Sequence, residues 1–127
     1  MAFSWAEYLD LAKELAGVQH REARTEADAR SSISRAYYAA YGSARNRLRH
    51  QDGLVIPGGP VGHSFVSGQF QNAAETARKA VGANLDRLRI ARNRADYDDV
   101  FPQLAVWVGV TLQWAEEILE DLGRLGA

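Results

Sequence analysis

The sequence contains no cysteine. That absence removes disulfides, thiolate metal sites and a thiol nucleophile in one step. Lysine is scarce as well: of fifteen basic residues, thirteen are Arg and two are Lys. No apolar run approaches the roughly 18 residues that span a bilayer. The first residues, Met1-Ala2-Phe3-Ser4-Trp5, carry neither a basic region nor an apolar signal core. A cytoplasmic protein with no membrane association is therefore expected. Strong net charge is missing too: the formal value of −1 excludes a strongly basic nucleic-acid protein. The three histidines, His20, His50 and His63, lack metal-ligand spacing, and no HExxH occurs. No metal and no cofactor are expected.

What is present suits one folded domain over residues 1–127. A chain of this length buries roughly two-thirds of its unfolded surface. Hydrophobic residues make up 46% and charged residues 24%, a globular balance. The charges are unevenly placed. Residues 30–50 hold five arginines (30, 35, 45, 47, 49) and no acid, and residues 78–94 hold six basic residues against Asp86 alone. Residues 1–29 are acidic on balance, and Glu116, Glu117, Glu120 and Asp121 make the C-terminal stretch acidic. The two basic stretches make a basic face if folding brings them together; ordinary solvated helix surface is the alternative.

Helical periodicity dominates, and no period-two pattern outlasts it. Ser4 and Glu7 have capping-box spacing, which predicts a first helix from Ser4 with Trp5, Leu9, Ala12 and Ala16 on one face and Gly17 at its end. A long second helix is predicted over residues 22–49, with Ile33, Tyr37, Ala40, Tyr41, Ala44 and Leu48 as its apolar stripe. Its small residues (Ala36, Ala39, Ala40, Gly42, Ala44) invite a close neighbour. Residues 51–62 contain four glycines and two prolines and read as a loop. A third helix is expected over 63–81 and a short fourth over 84–96. A fifth is expected from Pro102, burying Leu104, Trp107, Val108, Thr111, Ala115, Ile118, Leu119 and Leu122. The class is all-α, an antiparallel bundle of four to five helices. Exposed aromatics such as Tyr38, Trp107 or Trp114 would favour a dimer.

Two constellations yield little. The stretch GGPVGHS lacks the Walker pattern, because Pro57 stands where a Gly is needed, His63 where a Lys is needed, and no strand precedes it. Asp96, Asp98 and Asp99 would suit a hard cation, but Asp98 or Asp99 is better placed to cap the last helix.

A third constellation is richer. In order, the chain carries SRAYYAAY at residues 34–41, then Gly62-His63-Ser64, then Arg92-Asn93-Arg94-Ala95-Asp96-Tyr97-Asp98, before a final helix rich in Ala and Leu. This series resembles HEPN proteins, in particular the branch with ADY at this place, over about residues 4–122. The resemblance implies a dimerising helical bundle that targets RNA in a toxin–antitoxin or defence setting. It also implies a metal-independent endoribonuclease and a small nucleotidyltransferase as antitoxin partner. The family motif is Arg, often a polar residue, then His after four to six residues. In that chemistry a His moves a proton and an Arg holds the phosphate.

Arg92 and Asn93 match, but Tyr97, Asp98 and Asp99 occupy the His positions, and no His follows His63. The catalytic candidates are therefore Arg92, Asn93, Tyr97 and His63, the last by folding over toward Arg92. Candidates for binding RNA or another ligand are Arg35, Arg92, Arg94 and Asp96. Arg35 needs a partner in its apolar helix, and Asp96 is the expected one. Tyr97 is alternatively a packing residue or a site of nucleotide transfer. The run Arg45-Asn46-Arg47-Leu48-Arg49-His50 also spells Arg, Asn and His, yet it lies in the second helix, away from the family's site. A non-catalytic module binding RNA, a nucleotide or a nucleotidyltransferase is the alternative reading.

Overall fold

The computed structural model describes residues 2–17 and 23–125. Five helices run in the order α1 (Glu7–Ala16), α2 (Glu26–His50), α3 (Pro60–Gln71), α4 (Thr76–Tyr97) and α5 (Leu104–Arg124), and no strand occurs among the described residues. The all-helical bundle matches expectation, and Val106, Val108 and Val110 all lie in the last helix. No helix among the described residues is long and apolar enough to cross a membrane.

Helix α2 is the centre of the bundle: α1, α4 and α5 pack on it, and α3 sits chiefly on α4. The small residues of α2 make this possible. Ala36, Ala39, Ala40 and Ala44 are all fully buried, as are the larger Ile33, Tyr37 and Leu48 on the same stripe. Each such large side chain contributes about 1.5–3 kcal/mol by leaving water. Gly42 marks a close approach: a Cβ there would lie 2.2 Å from the nearest ring atom of Trp5. Ser32, also fully buried, donates to the Ala12 carbonyl at 2.7 Å and ties α2 to α1.

The helix ends differ from expectation in several places. The Ser4–Glu7 capping box does not form. The Glu7 N–H instead donates to the Ser4 carbonyl at 3.0 Å, and Ala6 caps α1 with no side-chain bond. Gly17 ends α1 in the left-handed region as expected. The predicted start of the second helix, Glu22, lies outside the described residues, as does His20. Helix α2 begins at Glu26, where the Thr25 hydroxyl accepts from the Asp28 N–H at 3.0 Å.

The predicted third helix is divided at residues 72–75, and the predicted fourth is the rear part of the 22-residue α4. Gly82 does not break α4, because it is a contact residue. A Cβ there would lie 2.6 Å from the Gln71 backbone nitrogen and 2.9 Å from the Ser67 carbonyl of α3. Pro60 opens α3, so the glycine-rich loop ends three residues earlier than expected. Helix α5 starts at Leu104, after a Gln103 with φ 57°, two residues beyond Pro102.

Neither Asp98 nor Asp99 caps α5, whose N-cap Gln103 makes no side-chain bond. Their backbone carbonyls, with that of Ala95, accept from the Arg30 guanidinium, which is held in turn by Glu26 at 3.0 Å. Arg30 thus clamps the end of α4 onto α2. The predicted exposed aromatics are partly covered: Tyr38, Trp107 and Trp114 all pack against the core.

Candidate functional site

Helix α2 carries Ser34, Tyr37, Tyr38, Tyr41, Arg45 and Arg49 at spacings of three and four, so these side chains share one side of the rod. The end of α4 brings Arg92 and Asp96 alongside its first part. The first turn of α3 brings His63 alongside its middle. Gly62 permits that second approach: a Cβ there would collide with the Pro57 carbonyl and stand 3.1 Å from the Tyr41 hydroxyl.

His63 is the hub. Its Nδ1 is hydrogen-bonded to the Tyr37 hydroxyl. Its ring lies parallel to that of Tyr41, with centroids 4.2 Å apart, and meets the edge of Tyr38 at 6.4 Å. Burial lowers its pKa below the ordinary value, and the positive charges of Arg92, Arg89 and Arg45 lower it further. The imidazole is therefore neutral at neutral pH. Burial also raises the pKa of Tyr37, and so does the neighbouring Tyr41, so the Tyr37 hydroxyl keeps its proton.

Arg92 is held on three sides. Its Nε pairs with Asp96 at 2.9 Å, a second guanidinium nitrogen donates to the Asn93 side chain at 2.9 Å, and its plane lies 5.3 Å from the Tyr38 ring centre. The Ser34 hydroxyl reaches the same Asp96 carboxylate at 3.4 Å. Tyr38 thus stands between Arg92 and His63, in contact with both.

On the far side of His63 lies a cleft of about 300 Å³, lined by Trp5, Tyr38, Tyr41, Arg45, Arg49, His63 and the loop 56–59. Arg45 lies 4.8 Å over Trp5 and 5.8 Å over Tyr41. Burial lowers its pKa, and Arg49 one turn on adds to the effect. Among the described residues no carboxylate pairs with Arg45 or Arg49. No carboxylate lines the cleft at all. Two guanidiniums without an acid, one of them braced over aromatic rings, next to a neutral imidazole, give the cleft the chemistry to hold an anion.

The expected residues divide accordingly. His63, Arg92, Asn93 and Asp96 come together. Tyr97 stands next to them, its ring 5.8 Å from Arg92, and is 72% exposed. Arg94 does not join: it lies over Phe101 at 4.4 Å and Trp107 at 5.4 Å and pairs with Asp98 at 3.5 Å. Arg35 does not pair with Asp96. It rests 5.0 Å over the Tyr8 ring, because Asp96 finds Arg92 one turn away on its own helix. Trp5, Tyr41, Arg45 and Arg49 were not singled out as site residues. The signal for Tyr41, Arg45 and Arg49 is the three-to-four spacing that runs from Tyr38 along α2, which also fits a core stripe; Trp5 carries no such signal. No group of three or more His, Asp or Glu among the described residues is arranged to hold a metal ion.

No protein-family model matches this chain, and neither does any curated protein or solved structure. The functional reading therefore rests on the geometry and on the motifs in the sequence.

Proposed function

We propose that this chain is a HEPN-like, RNA-targeting domain of toxin–antitoxin or defence type that holds single-stranded RNA in the cleft around His63. The observation that carries the reading is the convergence of Arg45, Arg49 and His63 with the rings of Trp5, Tyr38 and Tyr41 in one cleft whose lining has no carboxylate, with Arg92 on the other side of Tyr38. Backbone phosphates suit the guanidiniums. The rings of Trp5 and Tyr41 lie under Arg45, and that of Tyr41 also against His63, so they brace the groups that would meet those phosphates. Binding is favoured over cutting because the site holds one imidazole, kept neutral, and because Tyr97 stands where the family's motif His is expected.

The endoribonuclease reading keeps one specific support: His63 and Arg92 both pack on the Tyr38 ring. In that reading Arg92 and Asn93 hold the phosphate and His63 or Tyr97 moves the proton. The homodimer and the nucleotidyltransferase partner belong to the proposal as well, and Tyr97 is the exposed hydroxyl that such a partner would reach.

The test is binding of a fluorescein-labelled single-stranded oligouridine, followed by anisotropy, with cleavage measured in parallel in EDTA. Binding that weakens with salt, and weakens at least tenfold in Arg45→Glu, supports the binding reading. Cleavage in EDTA that Arg92→Ala abolishes supports the nuclease. Wild-type protein that neither binds nor cleaves RNA rejects both.

A further inference from the structure

The pair Tyr37–His63 has a property that the proposed function does not use. Tyr37 is 1% exposed, and His63 Nδ1 is the hydrogen-bond partner of its hydroxyl among the described residues. A buried hydroxyl has one proton to give, and leaving it without an acceptor is costly. Nδ1 is the one partner of this hydroxyl among the described residues, so the hydroxyl donates and the ring nitrogen accepts. A neutral imidazole that accepts at Nδ1 carries its proton on Nε2. Parallel stacking on Tyr41 fixes the plane of the ring and hence the direction of that N–H. The charged groups facing the ring are Arg45 from α2 and Arg89 and Arg92 from α4, all cations, and they oppose a second proton.

We infer that Tyr37 is a positioning residue that fixes His63 as an Nε2–H donor, so that the cleft selects a ligand with a hydrogen-bond acceptor there, a phosphate oxygen above all. The inference rests on the RNA-binding reading for the identity of the ligand, but not for the state of the ring. An Nε2–H imidazole gives a hydrogen bond to phosphate and has no lone pair on that nitrogen to take a proton from a ribose hydroxyl. The device therefore suits holding RNA and works against its cleavage.

The ring nitrogens of the nitrogen-labelled full chain report this directly in long-range proton–nitrogen correlation spectra, with the His63 signals assigned by their loss in His63→Gln. The expected wild-type spectrum at neutral pH is a single neutral tautomer protonated at Nε2. In Tyr37→Phe, Nδ1 loses its donor. The expected result is a mixture of tautomers, an upward shift of the His63 titration, and oligouridine affinity about threefold to tenfold weaker. A wild-type His63 protonated at Nδ1, or doubly protonated at neutral pH, overturns the inference. So does a Tyr37→Phe spectrum that matches the wild type. The wild-type spectrum decides the tautomer by itself if Tyr37→Phe fails to fold. An Nε2–H ring in a chain that binds no RNA leaves this inference standing and removes the RNA reading.

Discussion

Replacing Gly62 by Ala should destabilise the protein although alanine is the better helix former. The residue lies in the first turn of α3, beside His63. A methyl group there meets the Pro57 carbonyl oxygen, which is backbone and has no rotamer to change, and it stands 3.1 Å from the Tyr41 hydroxyl. Overpacking of this kind costs about 1–3 kcal/mol. The helical preference of Ala over Gly returns at most about 1 kcal/mol, and less in a first turn. The expected net loss is about 1–2 kcal/mol, or roughly 3–6 °C in Tm for a domain of this size. Gly68 supplies the control. It lies in the same helix, and a Cβ there meets nothing within 4 Å. Gly68→Ala should therefore gain about 0.5–1 kcal/mol. Thermal melts followed by far-ultraviolet circular dichroism compare the two directly. If Gly62→Ala melts at or above the temperature of Gly68→Ala, the proposed contact between the 56–59 loop and α3 is wrong.

Other substitutions probe the charges. Arg49→Ala should weaken RNA binding about tenfold and flatten its salt dependence, because one phosphate contact in the cleft is lost; anisotropy at several salt concentrations measures both. Arg30→Ala should cost about 1.5–3 kcal/mol, since a charged donor to three carbonyls at the end of α4 is removed; denaturant melts give the figure, and amide exchange should quicken around residues 95–99. His63 predicts a pH effect of definite sign. Its folded pKa lies below the ordinary 6.5, so between those values the unfolded chain binds more protons. The contribution of His63 to stability is complete above 6.5 and is lost as pH falls through the folded value. Melts of wild type and His63→Gln across that range should converge on acidification, and parallel curves would refute the assignment.

The main rods of this fold were legible because α2 and α5 repeat apolar residues at helical spacing over about four to five turns. Gly17 and the 51–59 loop announce themselves by glycine and proline. The break between α3 and α4 does not: Asn72-Ala73-Ala74-Glu75 contains no residue that forbids a helix. The expected gap between residues 81 and 84 holds Gly82, and sequence alone cannot tell a glycine that ends a helix from one that admits a neighbouring backbone. The same ambiguity governs the site. Arg92 and His63 stood out through their motifs, whereas Tyr41, Arg45 and Arg49 share the spacing of ordinary core and surface positions. Their meaning comes from α3 and the loop, which close over one side of α2. The Arg35–Asp96 pairing failed for a local reason: a partner four residues away on the same helix outcompetes one on another helix.

The fit between Trp5 and Gly42 has an evolutionary corollary. The indole forms one wall of the cleft, and it reaches that place only because position 42 has no side chain. Any homologue that acquires a methyl group at 42 must shrink or relocate the ring at 5, and with it the platform beneath Arg45. Positions 5 and 42, far apart along the chain, should therefore covary: indole with glycine, a smaller side chain with alanine.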